Sequence, residues 1–182
     1  MDVLVSYQRN HFFPARREAK RILATLGDPN ATVERTSVMG IAVAHTSLDN
    51  REVIRKCKEL YTASTEAPAF QFAIKWVPVD FWCDTALESM KQVIEEKVRA
   101  GIGKDETWGM KVEKRRWQKY HTIEIVRYLA ESIEQKVNLR NPDKIVRIDM
   151  LGKRTAVSLL KPGEIFSVTC PDTEPASERG VE

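Results

Sequence analysis

WGMKVEKRRWQKYHTIEIVR, residues 108–127, holds the transition on which the reading of this chain turns. Residues 108–112 form a short apolar strand, with Met110 and Val112 on one face. Charge then takes over: Lys114, Arg115, Arg116 and Lys119 crowd into one loop with Trp117, Gln118, Tyr120 and His121. An amphipathic helix is expected from about Thr122. A strand that runs into positive charge and then into a helix start suits an anion. The first turn of a helix offers unpaired N–H groups and partial positive charge. Alternation carries Lys114 and Arg116 to the face of Met110 and Val112, and Lys111, Arg115 and Trp117 to the other. Arg grips phosphate with a two-pronged fork, Lys adds a point charge, and Trp117 and Tyr120 offer flat surfaces to an unpaired base. The alternative for the same residues is a solvated basic loop with both rings packed as local core.

Downstream, Val126, Leu129, Ala130, Ile133 and Val137 are spaced to face inward along the helix, and Asn141-Pro142 stops it. Residues 144–150 and 155–160 read as strands joined by a turn at Leu151-Gly152-Lys153-Arg154. A last short strand over 164–168 follows Pro162-Gly163. Arg147, Lys153 and Arg154 are the cations best placed to extend the basic patch, and Lys161 is a weaker one. Upstream, Thr85 with Glu88 has capping-box spacing ahead of a helix striped by Leu87, Met90, Ile94 and Val98, which Gly101 and Gly103 end.

The first 80 residues have a rhythm of their own. Residues 3–7 alternate as a strand, and Pro14 suits the first turn of a helix reaching about Leu26. Ala15, Ala19, Ile22, Leu23 and Leu26 form its apolar stripe, with Arg16, Arg17, Lys20 and Arg21 on a solvated face. Residues 31–35 and 40–46 suggest a hairpin. Asp49 and Glu52 open a second helix, lined by Val53, Ile54, Cys57, Leu60 and Tyr61. Residues 70–77 form a further strand, interrupted by Pro78. The order β-α-β-β-α-β is the ferredoxin-like unit. The fold class is therefore α/β (α+β), with a ferredoxin-like domain over 1–80 and a second domain over 81–170. Residues 171–182, rich in Pro, Ser and Glu, read as a disordered tail.

Charge is unevenly spread. Residues 107–154 hold 12 of the 29 Lys+Arg but only 6 of the 26 Asp+Glu, which leaves the remainder net acidic by 3. A basic segment on an otherwise slightly acidic molecule is the footprint of a nucleic-acid site. No apolar run approaches the ~18 residues needed to cross a bilayer, and the N-terminus lacks a secretory pattern, so no membrane association is expected. Three widely spaced cysteines, Cys57, Cys83 and Cys170, point to idle thiols in a reducing compartment, the cytoplasm. His11, His45 and His121 are scattered and no Cys or His pair has ligand spacing, so neither a metal nor another cofactor is expected. No GxSxG or other nucleophile pattern occurs, and Gly101-Ile102-Gly103-Lys104 lacks the GxxxxGK[ST] pattern and reads as a helix stop. No catalytic residue is nominated.

Met110-Lys111-Val112-Glu113-Lys114-Arg115-Arg116, then His121-Thr122 at a helix start, then Leu160-Lys161-Pro162-Gly163-Glu164-Ile165-Phe166-Ser167-Val168, resemble the THUMP domain of RNA-modification proteins. The resemblance covers about residues 81–170, and a preceding ferredoxin-like unit is that family's usual arrangement. THUMP domains are typically joined to a catalytic domain, and none is recognised here. The chain therefore resembles the stand-alone, Tan1-type THUMP proteins, adaptors for a separate acetyltransferase that makes N4-acetylcytidine in tRNA. The resemblance implies binding of the tRNA acceptor end near its single-stranded 3′ terminus, with no catalysis of its own and no DNA partner. By the same resemblance the strongest contacts would be Lys111, Lys114, Arg115, Arg116 and His121, and the basic loop and patch read from the residues add Lys119, Arg147, Lys153 and Arg154. The runner-up reading is a non-catalytic subunit that completes the active site of a different tRNA-modification enzyme. A third is a protein-interaction module whose basic patch meets an acidic partner.

Overall fold

A computed structural model describes residues 1–63 and 69–168. The expected tail, and Cys170 with it, lie outside the described residues. In chain order the elements are β1 (Asp2–Tyr7), α1 (Phe12–Thr25), β2 (Thr32–Arg35), β3 (Ile41–His45), α2 (Asn50–Ala63), β4 (Ala73–Val79) and β5 (Phe81–Asp84). Then come α3 (Leu87–Val93), β6 (Trp108–Arg115), α4 (Thr122–Ala130), β7 (Lys144–Leu151), β8 (Arg154–Leu160) and β9 (Phe166–Ser167). A five-residue π turn, Ile94–Val98, and a 3₁₀ turn, Arg99–Gly101, extend α3.

The chain makes two sheets, β2-β3-β1-β4-β9 and β5-β8-β7-β6. In the first, β1 to β4 pair antiparallel with α1 and α2 on one face, which is the ferredoxin-like unit. Periodicity explains the placement: Ala15, Ala19, Ile22 and Leu23 of α1 and Val53, Ile54 and Cys57 of α2 are buried against Val3, Val5 and Trp76. Asp49 caps α2 by accepting the N–H groups of Arg51 and Glu52, both at 3.0 Å, and Gly27 closes α1 at φ +113°. In the second sheet, Met90, Ile94, Ile125 and Leu129 from the helices bury Trp108, Val146, Ile148 and Met150.

Alternation leaves each sheet a second apolar face, and these two faces meet. Leu4, Val38, Ile41, Val43, Val77 and Val79 from the first pack on Leu151, Ala156 and Leu160 from the second. The layers therefore run helices, sheet, sheet, helices. At about 1.5–3 kcal/mol per fully buried aliphatic side chain, this seam outweighs any single polar contact across it. Polar ties set its register. Arg51 Nη2 reaches Asp80 Oδ2 at 2.7 Å and the Leu159 carbonyl at 2.9 Å, and Ser158 Oγ donates to the Pro78 carbonyl at 2.7 Å.

Several boundaries depart from expectation. β4 runs through Pro78 to Val79, because β9 pairs only with Lys75 and Trp76 and leaves that side of Pro78 without a ladder partner. β5 is a strand that alternation in four residues did not reveal. The Thr85/Glu88 box does not form: Ala86 is the N-cap, and Thr85 Oγ1 sits 2.8 Å from Thr155 Oγ1 instead. β6 extends to Arg115, so Lys114 and Arg115 are strand residues, carried by eight parallel pairs with β7. α4 ends at Ala130, well short of Asn141-Pro142, and buries Ile125 where Val126 was expected. The chain beyond it returns to the sheet edge, where Trp108 N–H donates to Lys136 O and Asn138 N–H to Trp108 O. That detour leaves Val137 49% exposed. β9 joins the first sheet although it lies at the end of the second segment, so Phe166 belongs to the first core.

Candidate nucleic-acid interface

The parallel register aligns Lys111 with Arg147, Glu113 with Asp149 and Arg115 with Leu151. Aligned residues share a face, and here it is the face turned toward the first sheet. Cations there meet a buried carboxylate rather than solvent. Arg147, 2% exposed, donates from Nε to Asp149 Oδ2 at 2.6 Å and from Nη2 to Oδ1 at 3.1 Å. Arg115 Nη1 donates to the same Oδ1 at 2.9 Å, with Glu113 3.6 Å from its other nitrogen. Burying Asp149 costs too much unless it is paired, and the two arginines supply the pairing. Arg147 is therefore an internal cation and not the surface contact expected of it.

The opposite parity faces the helices. Lys114 lies there with Met110 and Val112, and its Nζ donates to the Tyr120 carbonyl at 2.7 Å, tying strand to loop. Lys111 is half-buried and already engaged within the protein. Trp117 and Tyr120 pack at 5.6 Å between ring centroids and lean on the second core. Lys119 is exposed, 5.3 Å from the Tyr120 ring. His121 is the N-cap of α4, and its own N–H donates to Glu124 Oε2 at 2.6 Å. A carboxylate of the chain thus already stands at the helix start that was read as an anion site.

Arg116 behaves differently. It adopts φ +56°, which turns the chain off the end of β6, and its Nη1 donates to the carbonyl of Ser37, in the β2–β3 turn of the first module. Ser37 Oγ donates to the Leu151 carbonyl at 2.8 Å. Gly152, at φ +75°, passes so close that an added Cβ would stand 2.7 Å from Ser37 Oγ. Lys153 and Arg154 follow in this turn, both exposed. The Arg154 guanidinium lies 4.6 Å from the centroid of Trp82, on β5. From the other module Arg35, at the end of β2, stands over Phe12 at 4.3 Å and Phe13 at 5.1 Å.

Arg35, Arg116, Lys153 and Arg154 all line one cleft of about 640 Å³ where the two sheets part, together with Trp82 and Trp117. Among the described residues none of these four cations is paired with a carboxylate. Rings or a carbonyl order the three arginines and leave their charge uncompensated, an arrangement that favours an incoming anion. The structure thus brings Arg116, Lys153 and Arg154 into the cleft and leaves Lys111, Lys114, Arg115, Lys119, His121 and Arg147 out of its lining. It adds Arg35 and Trp82, which lie 81 and 34 positions from Arg116 and carry no local motif.

Cys83 is a poor nucleophile: burial pushes its thiol up to about 11, and Asp84 adds to the shift. Among the described residues no three His, Cys, Asp or Glu side chains are grouped to hold a metal, and no helix is long and apolar enough to cross a membrane.

No protein-family profile matches the chain, and no curated protein matches it. Solved structures do. PH1313 from Pyrococcus horikoshii Ot3 is 14% identical, with a TM-score of 0.59 over 88% of this chain and 55% of that one. TrmN from Thermus thermophilus is 11% identical, with 0.55 over 87% and 44%. A 4-thiouridine synthetase, solved in complex with RNA and bound ATP, is 16% identical, with 0.57 over 91% and 41%. The chain spans about half the length of the structures it matches. The likeness is one of fold, two α/β modules of which the first is ferredoxin-like.

Proposed function

We propose that this protein binds tRNA through the cleft between its two modules and acts as an adaptor for a separate tRNA-modifying enzyme. The observation that carries the binding step is the convergence of Arg35, Arg116, Lys153 and Arg154 without carboxylate partners. Phosphates supply the matching charge, and the aromatic side chains beside the cations suit unpaired bases over a rigid duplex. The RNA bound to the 4-thiouridine synthetase of similar fold supports RNA as the ligand class. The acceptor end, the adaptor role, the absence of catalysis and the N4-acetylcytidine-forming acetyltransferase as partner rest on the THUMP resemblance. The second reading, a subunit that completes another enzyme's active site, draws on the relatives' greater length.

Arg116→Ala with Arg154→Ala is expected to weaken tRNA binding at least tenfold in a gel-shift titration, while circular dichroism stays native. Unchanged affinity removes the cleft as the interface. Incubating the pure protein with tRNA and acetyl-CoA or S-adenosylmethionine, followed by nucleoside analysis, separates the roles, since any new modified nucleoside contradicts the adaptor reading.

A further inference from the structure

The face of the first sheet that turns toward the second also carries acceptors. Asp2 on β1 lies opposite His45 on β3, and Glu34 on β2, whose own partner is Val43, lies diagonal to His45 on the same face. Asp2 is held from both sides: Trp82 Nε1 donates to Oδ2 at 2.7 Å, and His45 Nδ1 lies 2.8 Å from Oδ1. The Asp2 oxygen accepts here, so Nδ1 carries the hydrogen, and in that tautomer of the imidazole Nε2 presents a lone pair. Nε2 stands 3.9 Å from Glu34 Oε2, too far for a hydrogen bond between them. One ligand atom at about 2.8 Å from each would fill that gap, provided it carries two hydrogens, one for each acceptor. Glu34 and His45 both line the cleft that holds the cations.

We infer that Glu34 and His45 form a donor-reading subsite that takes the exocyclic amino group of one unpaired base, whose nucleotide phosphate lies on the cations of the same cleft. An amino group has the needed chemistry, two polar hydrogens on one atom, one for each acceptor, whereas a hydroxyl has a single one. Asp2 and Trp82 are positioning residues that fix the imidazole. The subsite makes the cleft selective, whereas the cations alone hold any polyanion. This deepens the proposed RNA-binding function and rests on it.

The test titrates the full chain with short oligocytidylate, oligouridylate and oligodeoxycytidylate at fixed salt. The inference predicts that both cytidylates outbind the uridylate, which has no amino group. Glu34→Gln and His45→Ala are expected to cut this preference by about tenfold, the effect of one hydrogen bond to a charged or fixed acceptor. Glu34 is an exposed side chain, so its conservative variant leaves the fold intact. Equal affinity of the wild type for cytidylate and uridylate overturns the inference. So does a uniform rise in affinity on Glu34→Gln, which would mean that the carboxylate only repels phosphate. Failure of the wild type to bind any oligomer or tRNA would instead remove the RNA-binding proposal itself.

Discussion

Arg147 has two nitrogens on Asp149 and is 2% exposed, while Arg116 is exposed at φ +56° with its guanidinium on the Ser37 carbonyl. The difference between the two arginines is one of location. Arg147→Ala is expected to destabilise the protein by ~3 kcal/mol in urea unfolding, the lower end for removing one member of a buried pair, because Arg115 still reaches Asp149. Its effect on RNA binding should follow only the folded fraction. A loss of binding with stability unchanged would place Arg147 at the interface after all. The sequence marked both arginines as cations in a basic segment and could not separate them: the packing of one sheet on the other buries Arg147, and Arg116 finds its partner 79 residues away at Ser37. Asp149, on the same strand as Arg147, was countable in the charge tally, but its contact with Arg115 depends on the β6–β7 register.

Elements that looked local turn out to be fastened across the molecule. The β7–β8 turn reads as a simple Gly-containing reversal, yet it also touches the β2–β3 turn at Ser37. Gly152→Ala is expected to lower stability by about 1–3 kcal/mol, from the left-handed backbone and the clash with Ser37 Oγ together. It should also weaken RNA binding, because Lys153 and Arg154 ride on this turn. A thermal melt shows the first effect, and a melting temperature equal to that of the wild type would refute it. Ser37→Gly in the Gly152→Ala background relieves only the clash and should recover part of the loss. The helix starts divide in the same way. Asp49 caps α2 as its spacing foretold, whereas Thr85 is drawn to Thr155 by the pairing of β5 with β8. Local capping patterns lose where a cross-strand partner competes for the same hydroxyl.

The whole molecule is two α/β modules joined sheet to sheet, and the seam that buries Leu4, Val43, Val77 and Leu160 ends in the cleft that gathers the unpaired cations. With four cations on RNA phosphates, each adding about 0.7 to 0.9, the log–log salt dependence of binding is expected to have a slope near −3. A flat dependence would point to a protein ligand. The alternation of Val3, Val5 and Tyr7, the stripes of α1 and α2 and the order of elements determined the ferredoxin-like module from sequence alone, because each rests on contacts within one period of a helix or strand. The excess of charge over residues 107–154 was likewise legible in the sequence. Which of those charges face outward was decided only by the tertiary structure. Packing of sheet on sheet buries Arg147 with Asp149, the seam brings Arg35 and Trp82 to Arg116 and Arg154, and Glu124 occupies the helix start that the sequence offered to an anion. Position along the chain carries no information about contacts made 34 to 81 residues away, and the cleft is made of such contacts.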